Sequence, residues 1–476
     1  MSNFRYYDFN QDFLLPPSLR EWLPKGHLAY FVSEIIESLD LSDIVSSYQG
    51  KTAAGAPAMD PRLMLKLLVY GYCVGIRSSR KIERASYEDV AFRVLATDQH
   101  PDHDTISTFR RRHIDALNQL YVQVLRLCQE AGLVKLGYVA LDGTKVKAFA
   151  NKSKSRTYVQ LMKSKKELEE MVEQILREAE EEDQREDKKY GKGKRGDELP
   201  EDLQDPTKRL EKIKHFLKKI EAEAQDEKIR VEEETKRKKN EDRQWEEETG
   251  QKVPARYPQS PGVGKKPLIT EARRNPTDFD SRIMKEQSSG GFIQAFNCQA
   301  AVDKESQVIV AQRVVNQVND KQLAPPMTEK IRQNVGKLPR RLAADKDYYS
   351  ERDVATLQNA GVSCYIPPTE KAEGKRRTDS GKTITEQMRR KLDTGIGKGF
   401  YGLRKTVVEP VFGQIKERQR FRQFLLRGIN KVAGEWALIT LCHNLHKLHL
   451  ARRPVPVSSG NSMDRAIYFS NGPVPF

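Results

Sequence analysis

The chain has 476 residues, and its 83 basic and 67 acidic side chains give a formal net charge of +16. This length is too great for one hydrophobic core, so two or three domains are expected. The basic excess favours a polyanionic partner, while the lack of a long apolar run or a secretion signal argues against a membrane-spanning or exported protein. Five scattered cysteines without metal-binding or redox spacing favour a reducing cytoplasm.

The N-terminal region is predicted to be helical, because apolar residues recur at helical spacing through most of residues 26–134. Asp60 caps one predicted helix, and Asp104 caps a long one that ends at Gly132. Helix, loop and a helix rich in Ser, Thr and Arg are compatible with docking in a DNA groove, but a bundle with a solvated basic face explains the pattern equally well. The basic residues concerned are Arg77, Arg80, Lys81, Arg84, Arg110, Arg111 and Arg112.

A β-favouring run, "GYVALDGTKVKAFA", then ends its apolar part on Asp142, with Lys145 three residues later. A carboxylate at this point of a strand is typical of a metal site or a catalytic acid, and equally of a turn that ends the strand. The residues around it do not decide between these interpretations.

Residues 152–251 form a highly charged insertion in which Leu161, Leu168 and Ile175 recur at every seventh position. Further on, apolar residues from Leu210 to Ala224 recur at alternating intervals of three and four. These spacings predict an antiparallel, coiled-coil-like helical hairpin with a Gly- and Pro-rich tip. Its role is open between a dimer contact and a solvated spacer.

The remaining elements predict a ribonuclease H-like mixed sheet. Residues 291–303 and 306–315 read as a β-hairpin, followed by a helix, the strand "RRLAAD" that ends on Asp345, a helix, the strand "VSCYIPP" and two final helices. The first of these helices carries Glu409, with Pro410 expected to start or kink it. That order brings Asp142, Asp345 and Glu409 together, and three carboxylates suit a pair of hard divalent cations.

Several long motifs extend this interpretation to a family. They are "DPRLMLKLLVYGYCVGIRSSRKIE", "PDHDTISTFRRRH", "ALDGTKVKAFA", "FNCQAAVD", "LAADKDYYS" and "VVEPVFGQIK". In this order they resemble a bacterial insertion-sequence transposase of the DDE class, in the group whose catalytic core is interrupted by a charged helical segment. The resemblance implies a metal-binding catalytic triad of Asp142, Asp345 and Glu409.

The resemblance also implies that Lys416 contacts the transposon end, with Tyr401 and Arg404 in support. The chain departs from the family pattern at two points. Asp347 replaces a usual glycine and so competes with Asp345 as the second acid. Arg404 lies one residue further from Glu409 than is usual. The predicted DNA-contacting residues are Lys416, Arg404, Tyr401, Lys405, Lys145, Arg80, Arg110 and Arg111.

The resulting expectation is a bacterial, cytoplasmic and nucleoid-associated enzyme with two Mg²⁺ ions, for which Mn²⁺ can substitute. It would cut transposon inverted repeats and join the 3′-hydroxyl to target DNA as a DNA-bound homodimer. A metal-dependent nuclease without strand transfer and a non-catalytic DNA-binding protein are the alternatives. The expected divisions are a helical N-terminal domain (1–135), a catalytic core (136–150 plus 285–452), an insertion (151–284) and a flexible tail (453–476).

Other polar residues receive structural interpretations. Asp303 and Asp320 are expected to organise turns or caps. His443, His446 and His449 share one side of the last helix, but no fourth ligand is near. Surface packing of that helix is therefore preferred over a zinc site.

Overall fold

A six-stranded mixed sheet forms the centre of the protein. The computed structural model describes residues 18–48, 58–190, 210–226, 273–286, 290–368 and 383–452, with isolated positions at 229, 233 and 243. The strands are β1 (Val139–Lys147), β4 (Arg282–Lys285), β5 (Phe292–Asp303), β6 (Ile309–Val315), β7 (Arg341–Ala344) and β8 (Ser363–Tyr365), and a separate pair joins β2 (Arg156–Thr157) to β3 (Arg273–Arg274).

The sheet is mixed, as the sequence predicts. β1 lies between β5, its antiparallel neighbour, and β7, its parallel neighbour, and β8 continues the parallel side. β6 and β4 pair with successive parts of the long strand β5. The β5–β6 hairpin is confirmed, and the mixed α/β order is consistent with a ribonuclease H-like core.

Short helices make up the N-terminal part of the chain. They are α1 (Leu28–Ser38), α2 (Ser42–Ser46), α3 (Pro61–Val74), α4 (Ser79–Glu88), α5 (Val90–Leu95), α6 (His103–Arg112) and α7 (Ala116–Glu130). Asp60 caps α3 as predicted, by accepting a hydrogen bond from Arg62 N at 2.7 Å. The prediction of one long helix capped by Asp104 was wrong in two respects. Asp102 is the cap, because it accepts from Thr105 N at 2.7 Å, and the predicted helix is interrupted between α6 and α7.

The C-terminal half supplies α10 (Ala324–Val335), α11 (Glu351–Asn359), α12 (Ile384–Asp393), α13 (Gly395–Glu417) and α14 (Ile429–Arg452). α13 runs through Pro410 instead of starting there. Proline cannot donate to the carbonyl of Thr406, four residues back, and the Gln307 side chain donates to that carbonyl instead, at 3.3 Å. The helix therefore continues because a neighbouring turn replaces the missing donor.

α14 is buried over most of its length and packs against α7 and α3. Its histidines are core residues, so the expected surface packing was wrong. His443 Nε2 donates to Gln307 O at 2.9 Å, and His446 Nε2 donates to Cys73 O at 3.0 Å. Burial lowers the pKa of His443 to about 3 and that of His446 to about 4, so both imidazoles are neutral at pH 7. His449 packs on the Phe31 ring.

Two helices of the insertion are described. α8 (Tyr158–Tyr190) and α9 (residues 210–226) are antiparallel, because Tyr158 donates to Glu221 while Lys214 pairs with Glu169 at 3.0 Å. Leu161, Phe216, Leu217, Ile220 and Phe279 form a small apolar cluster between them. The predicted hairpin tip and the C-terminal tail (453–476) lie outside the described residues. None of the helices in the described ranges has the length and apolar character needed to span a membrane.

Candidate active site

Asp142 lies in the middle of the central strand, β1. Only 21% of its side chain is exposed, and its Oδ1 accepts a hydrogen bond from Gly143 N at 2.8 Å. Burial raises the pKa of Asp142 to about 6, and Asp345 and Asp320 act in the same direction. The guanidinium of Arg404 and the Gly143 amide oppose that rise. Burial therefore disfavours the charged form of this carboxylate, and the positive charge of Arg404 favours it.

Asp345 follows the neighbouring parallel strand, β7, and opens a single 3-10 turn, Lys346–Tyr348. Because β1 and β7 run side by side, both acids lie near the same edge of the sheet. Asp347 is exposed within the turn. The geometry therefore favours Asp345 over Asp347 as the partner of Asp142.

Arg404, on α13, joins the two acids. One guanidinium nitrogen lies 3.2 Å from Asp142 Oδ2, and the other lies 3.9 Å from Asp345 Oδ2. The arginine side chain is only 7% exposed, and it lies 5.9 Å from the centre of the Tyr401 ring. Two carboxylates that are distant in the sequence thus meet at one buried positive charge.

Other predicted site residues on α13 differ in their exposure. Glu409 and Lys405 are exposed, Lys416 is half-buried, and Glu409 lies close enough to act electrostatically on Arg404. Tyr401 interacts with Asp345, and burial together with this carboxylate raises the pKa of its hydroxyl. Within the described ranges, no three side chains of the His, Cys, Asp or Glu type are close enough to hold a metal ion.

The predicted DNA-contacting residues divide by exposure. Arg80 and Arg111 are exposed on α4 and α6. Arg110 is buried, because its guanidinium donates to Tyr72 Oη at 3.3 Å and to Arg77 O at 3.0 Å. Arg110 is thus part of the internal packing, which removes it from the DNA-contacting set.

Lys145 is also turned inward, and only 13% of its side chain is exposed. It pairs with Asp320 at 3.3 Å, and this carboxylate also accepts hydrogen bonds from Asn297 at 2.6 Å and Gln299 at 2.8 Å. The prediction that Asp320 organises only a turn or cap missed this group. No local signal marks it, since Asp320 lies in a loop whose partners are on other strands. Asp303 does organise a turn, because its Oδ1 accepts from Glu305 N at 3.0 Å, and its Oδ2 also accepts from the amides of Lys135 and Leu136.

Two family models match the chain. Residues 17–112 match the model described as a transposase domain (DUF772), and residues 269–445 match the model described as a transposase DDE domain. No curated protein and no solved structure matches the chain. The first match spans α1–α6, and the second runs from β3 into α14, so β1 and Asp142 lie between the two. The chain thus carries two transposase domains, and its activity is that of a DNA transposase, a polynucleotidyl transferase.

Proposed function

We propose that Asp142, Asp345 and Glu409 are the acids with which this transposase cuts the ends of its element and joins the freed 3′-hydroxyl to target DNA. The observation that supports this most directly is the convergence of Asp142 and Asp345 on Arg404. Glu409 is the third acid because it lies on the helix that carries Arg404 and acts electrostatically on it. In the proposed division, residues 136–150 plus 285–452 form the catalytic core.

Transposases with a DDE domain generally act with a divalent metal. The donors in this site fit such an ion, because carboxylate oxygens are the ligands that Mg²⁺ prefers and two of them already share one cationic partner. Two Mg²⁺ ions, or Mn²⁺ in their place, would activate the attacking oxygen and stabilise the leaving oxygen of the phosphodiester. Without metal, Arg404 supplies the compensating charge.

The remaining residues bind and orient DNA. Exposed Lys405 and half-buried Lys416 flank Glu409 on α13, where ammonium groups can hold phosphates beside the acids. Tyr401 lies beside Arg404 and interacts with Asp345, so it helps to hold these two side chains in place. Arg80 and Arg111 extend the basic surface over the N-terminal helices. Synapsis of two transposon ends calls for a dimer on DNA.

The test is strand joining with a pre-cut transposon end, a target plasmid and Mg²⁺. We expect Asp142→Asn, Asp345→Asn and Glu409→Gln each to lower joining by at least about a thousandfold, on the scale of other essential active-site groups. Asp347→Asn is the matched control, because this acid is exposed two residues from Asp345, and it should retain most activity.

The outcomes separate the possible functions. Full joining activity of Asp345→Asn, together with loss of joining in Asp347→Asn, would identify Asp347 as the second acid. Cleavage of an intact transposon end in a parallel Mg²⁺ reaction, with no joining of the pre-cut end, would indicate a nuclease. DNA binding with no metal-dependent product in any variant would indicate a protein that only binds DNA.

A further inference from the structure

A buried polar network lies behind β1, on the face opposite Asp142. Side chains alternate along a strand, so positions 143 and 145 face away from Asp142. Gly143 pairs with Gln299 and Lys145 pairs with Asn297 across the β1–β5 ladder. The polar side chains of β5 therefore collect directly behind the strand that carries the first acid.

Asp320 fixes the orientation of Gln299 within this network. Gln299 Nε2 donates to Asp320 Oδ1 at 2.8 Å and to Asn297 Oδ1 at 2.9 Å, so both amide hydrogens are used. The ammonium group of Lys145 donates to the same Asp320 oxygen at 3.3 Å. The Gln299 carbonyl oxygen is left as an acceptor that points away from Asp320.

That oxygen accepts a hydrogen bond from the hydroxyl of Tyr348. Both side chains are fully buried. Tyr348 closes the turn that Asp345 opens, because Tyr348 N donates to Asp345 O at 3.0 Å. The network thus links the element behind Asp142 to the turn that carries Asp345.

The spacing at Gly143 shows how closely this network approaches β1. A Cβ atom at Gly143 would lie 2.3 Å from Gln299 Nε2, 2.9 Å from Asn297 Oδ1 and 3.1 Å from Asp320 Oδ1. No side chain fits there without moving the network. The glycine that follows Asp142 therefore allows Gln299 to lie against the catalytic strand.

We propose that Gln299, oriented by Asp320, is a positioning residue that fixes the Asp345 turn against β1 through Tyr348. The inference rests on the proposed function, in which Asp142 and Asp345 hold metal. Groups that orient metal ligands from behind affect affinity strongly although they do not touch the ion. The network would therefore set how well the two acids meet a shared cation.

The test compares two adjacent tyrosines in the full-length protein. Tyr348→Phe removes the hydroxyl that binds Gln299. Tyr349→Phe is the matched control, because its hydroxyl is also buried but bonds to Thr385 Oγ1 at 2.7 Å, away from the network. Mn²⁺ binding is followed by electron paramagnetic resonance, and the unfolding midpoint in urea is measured without metal.

We expect Tyr348→Phe to raise the Mn²⁺ dissociation constant by about tenfold or more. Tyr349→Phe should change it by less than about twofold, although both variants lose one buried hydrogen bond and a similar amount of stability. Asp320→Asn removes the carboxylate that orients Gln299, so it should weaken Mn²⁺ binding as Tyr348→Phe does.

Equal Mn²⁺ affinity in the two tyrosine variants would overturn the inference, because the network would then have only a structural role. Asp345→Asn distinguishes this from failure of the proposed function. Loss of Mn²⁺ binding in Asp345→Asn with none in Tyr348→Phe would refute the positioning role alone. Unchanged Mn²⁺ binding in Asp345→Asn would refute both.

Discussion

Replacement of Arg404 by glutamine tests the electrostatics of the site without any DNA. The change leaves Asp142, whose side chain is 21% exposed, without its charged partner at 3.2 Å. Removing one member of a buried ion pair costs about 3–5 kcal/mol of stability. Because Asp142 is partly exposed, we expect the free energy of unfolding to fall by about 3 kcal/mol. Loss of the second ion pair, between Arg404 and Asp345, adds little to this change in stability, because 40% of the Asp345 side chain is exposed and the two groups are 3.9 Å apart.

The loss should depend on pH. In the wild type the pKa of Asp142 in the folded protein is already raised to about 6, from the ordinary value of 3.8. The free energy of unfolding therefore falls as pH rises from about 4 to 6, because the folded state binds the proton more tightly, and it changes little beyond pH 7. Without Arg404 the pKa rises further, because the largest opposing influence is gone. The variant should therefore continue to lose stability between pH 6 and 8, by up to about 1.4 kcal/mol per pH unit.

Equilibrium unfolding in urea, with a chelator present, measures both effects. Arg452→Gln is the control, since it breaks an exposed ion pair with Glu34 and should cost below about 1 kcal/mol. A loss for Arg404→Gln no larger than for this control, or one that is the same at pH 6 and pH 8, would refute the account of Arg404 as the charge that stabilises Asp142.

Two further predictions concern helix α14. Glu435 is fully buried, lies 3.6 Å from Arg77 and accepts hydrogen bonds from the amides of Leu425 and Leu426. Glu435→Gln should therefore lower the free energy of unfolding in urea by about 3 kcal/mol. The control is Glu34→Gln, which changes an exposed side chain and should lower it by less than about 1 kcal/mol. Burial lowers the pKa of His446 to about 4, so its share of stability is present above pH 6.5 and is lost on acidification. From pH 7.5 to 5.5 the wild type should lose about 1.4 kcal/mol more than His446→Gln, and equal losses would contradict the neutral buried imidazole.

The strands of the central sheet other than β4, and most helices, could be predicted because their signals are local. Alternating apolar residues, a short turn between β5 and β6, and prolines after β8 fix each element from neighbouring residues alone. The order of those elements then predicts a mixed sheet, and the sheet is mixed. The relation of Asp142 to Asp345 follows from that order, since Asp142 lies on β1 and Asp345 directly follows β7, the parallel neighbour of β1.

The polar interior could not be predicted, because its partners are far apart in the sequence. Nothing near Arg110 indicates that Tyr72 and the Arg77 carbonyl will receive its guanidinium. Pro410 suggests a helix start, and only the distant Gln307 explains why α13 continues. A polar residue on a helix reads as exposed unless its acceptor is known, and that acceptor is a property of the tertiary structure.

α14 connects parts of the chain that belong to different transposase domains. Its N-terminus is held by Asp278 and Asp280, which accept from Gly428 N at 3.2 Å and Ile429 N at 3.0 Å. Lys219 of the insertion reaches the same Asp280 at 2.6 Å. Further along, buried Glu435 pairs with Arg77 of the N-terminal region.

Insertion, N-terminal helices and catalytic sheet are thus joined through one buried helix. α13, which carries Arg404, leads into α14 through residues 418–428, and the backbone carbonyls of this connection accept hydrogen bonds from Arg77. Arg77 therefore connects the N-terminal helices to the segment that follows the acids. Substitutions at this junction should change the coupling of DNA binding to joining more than they change either step measured alone, because the contacts they break lie between the two parts.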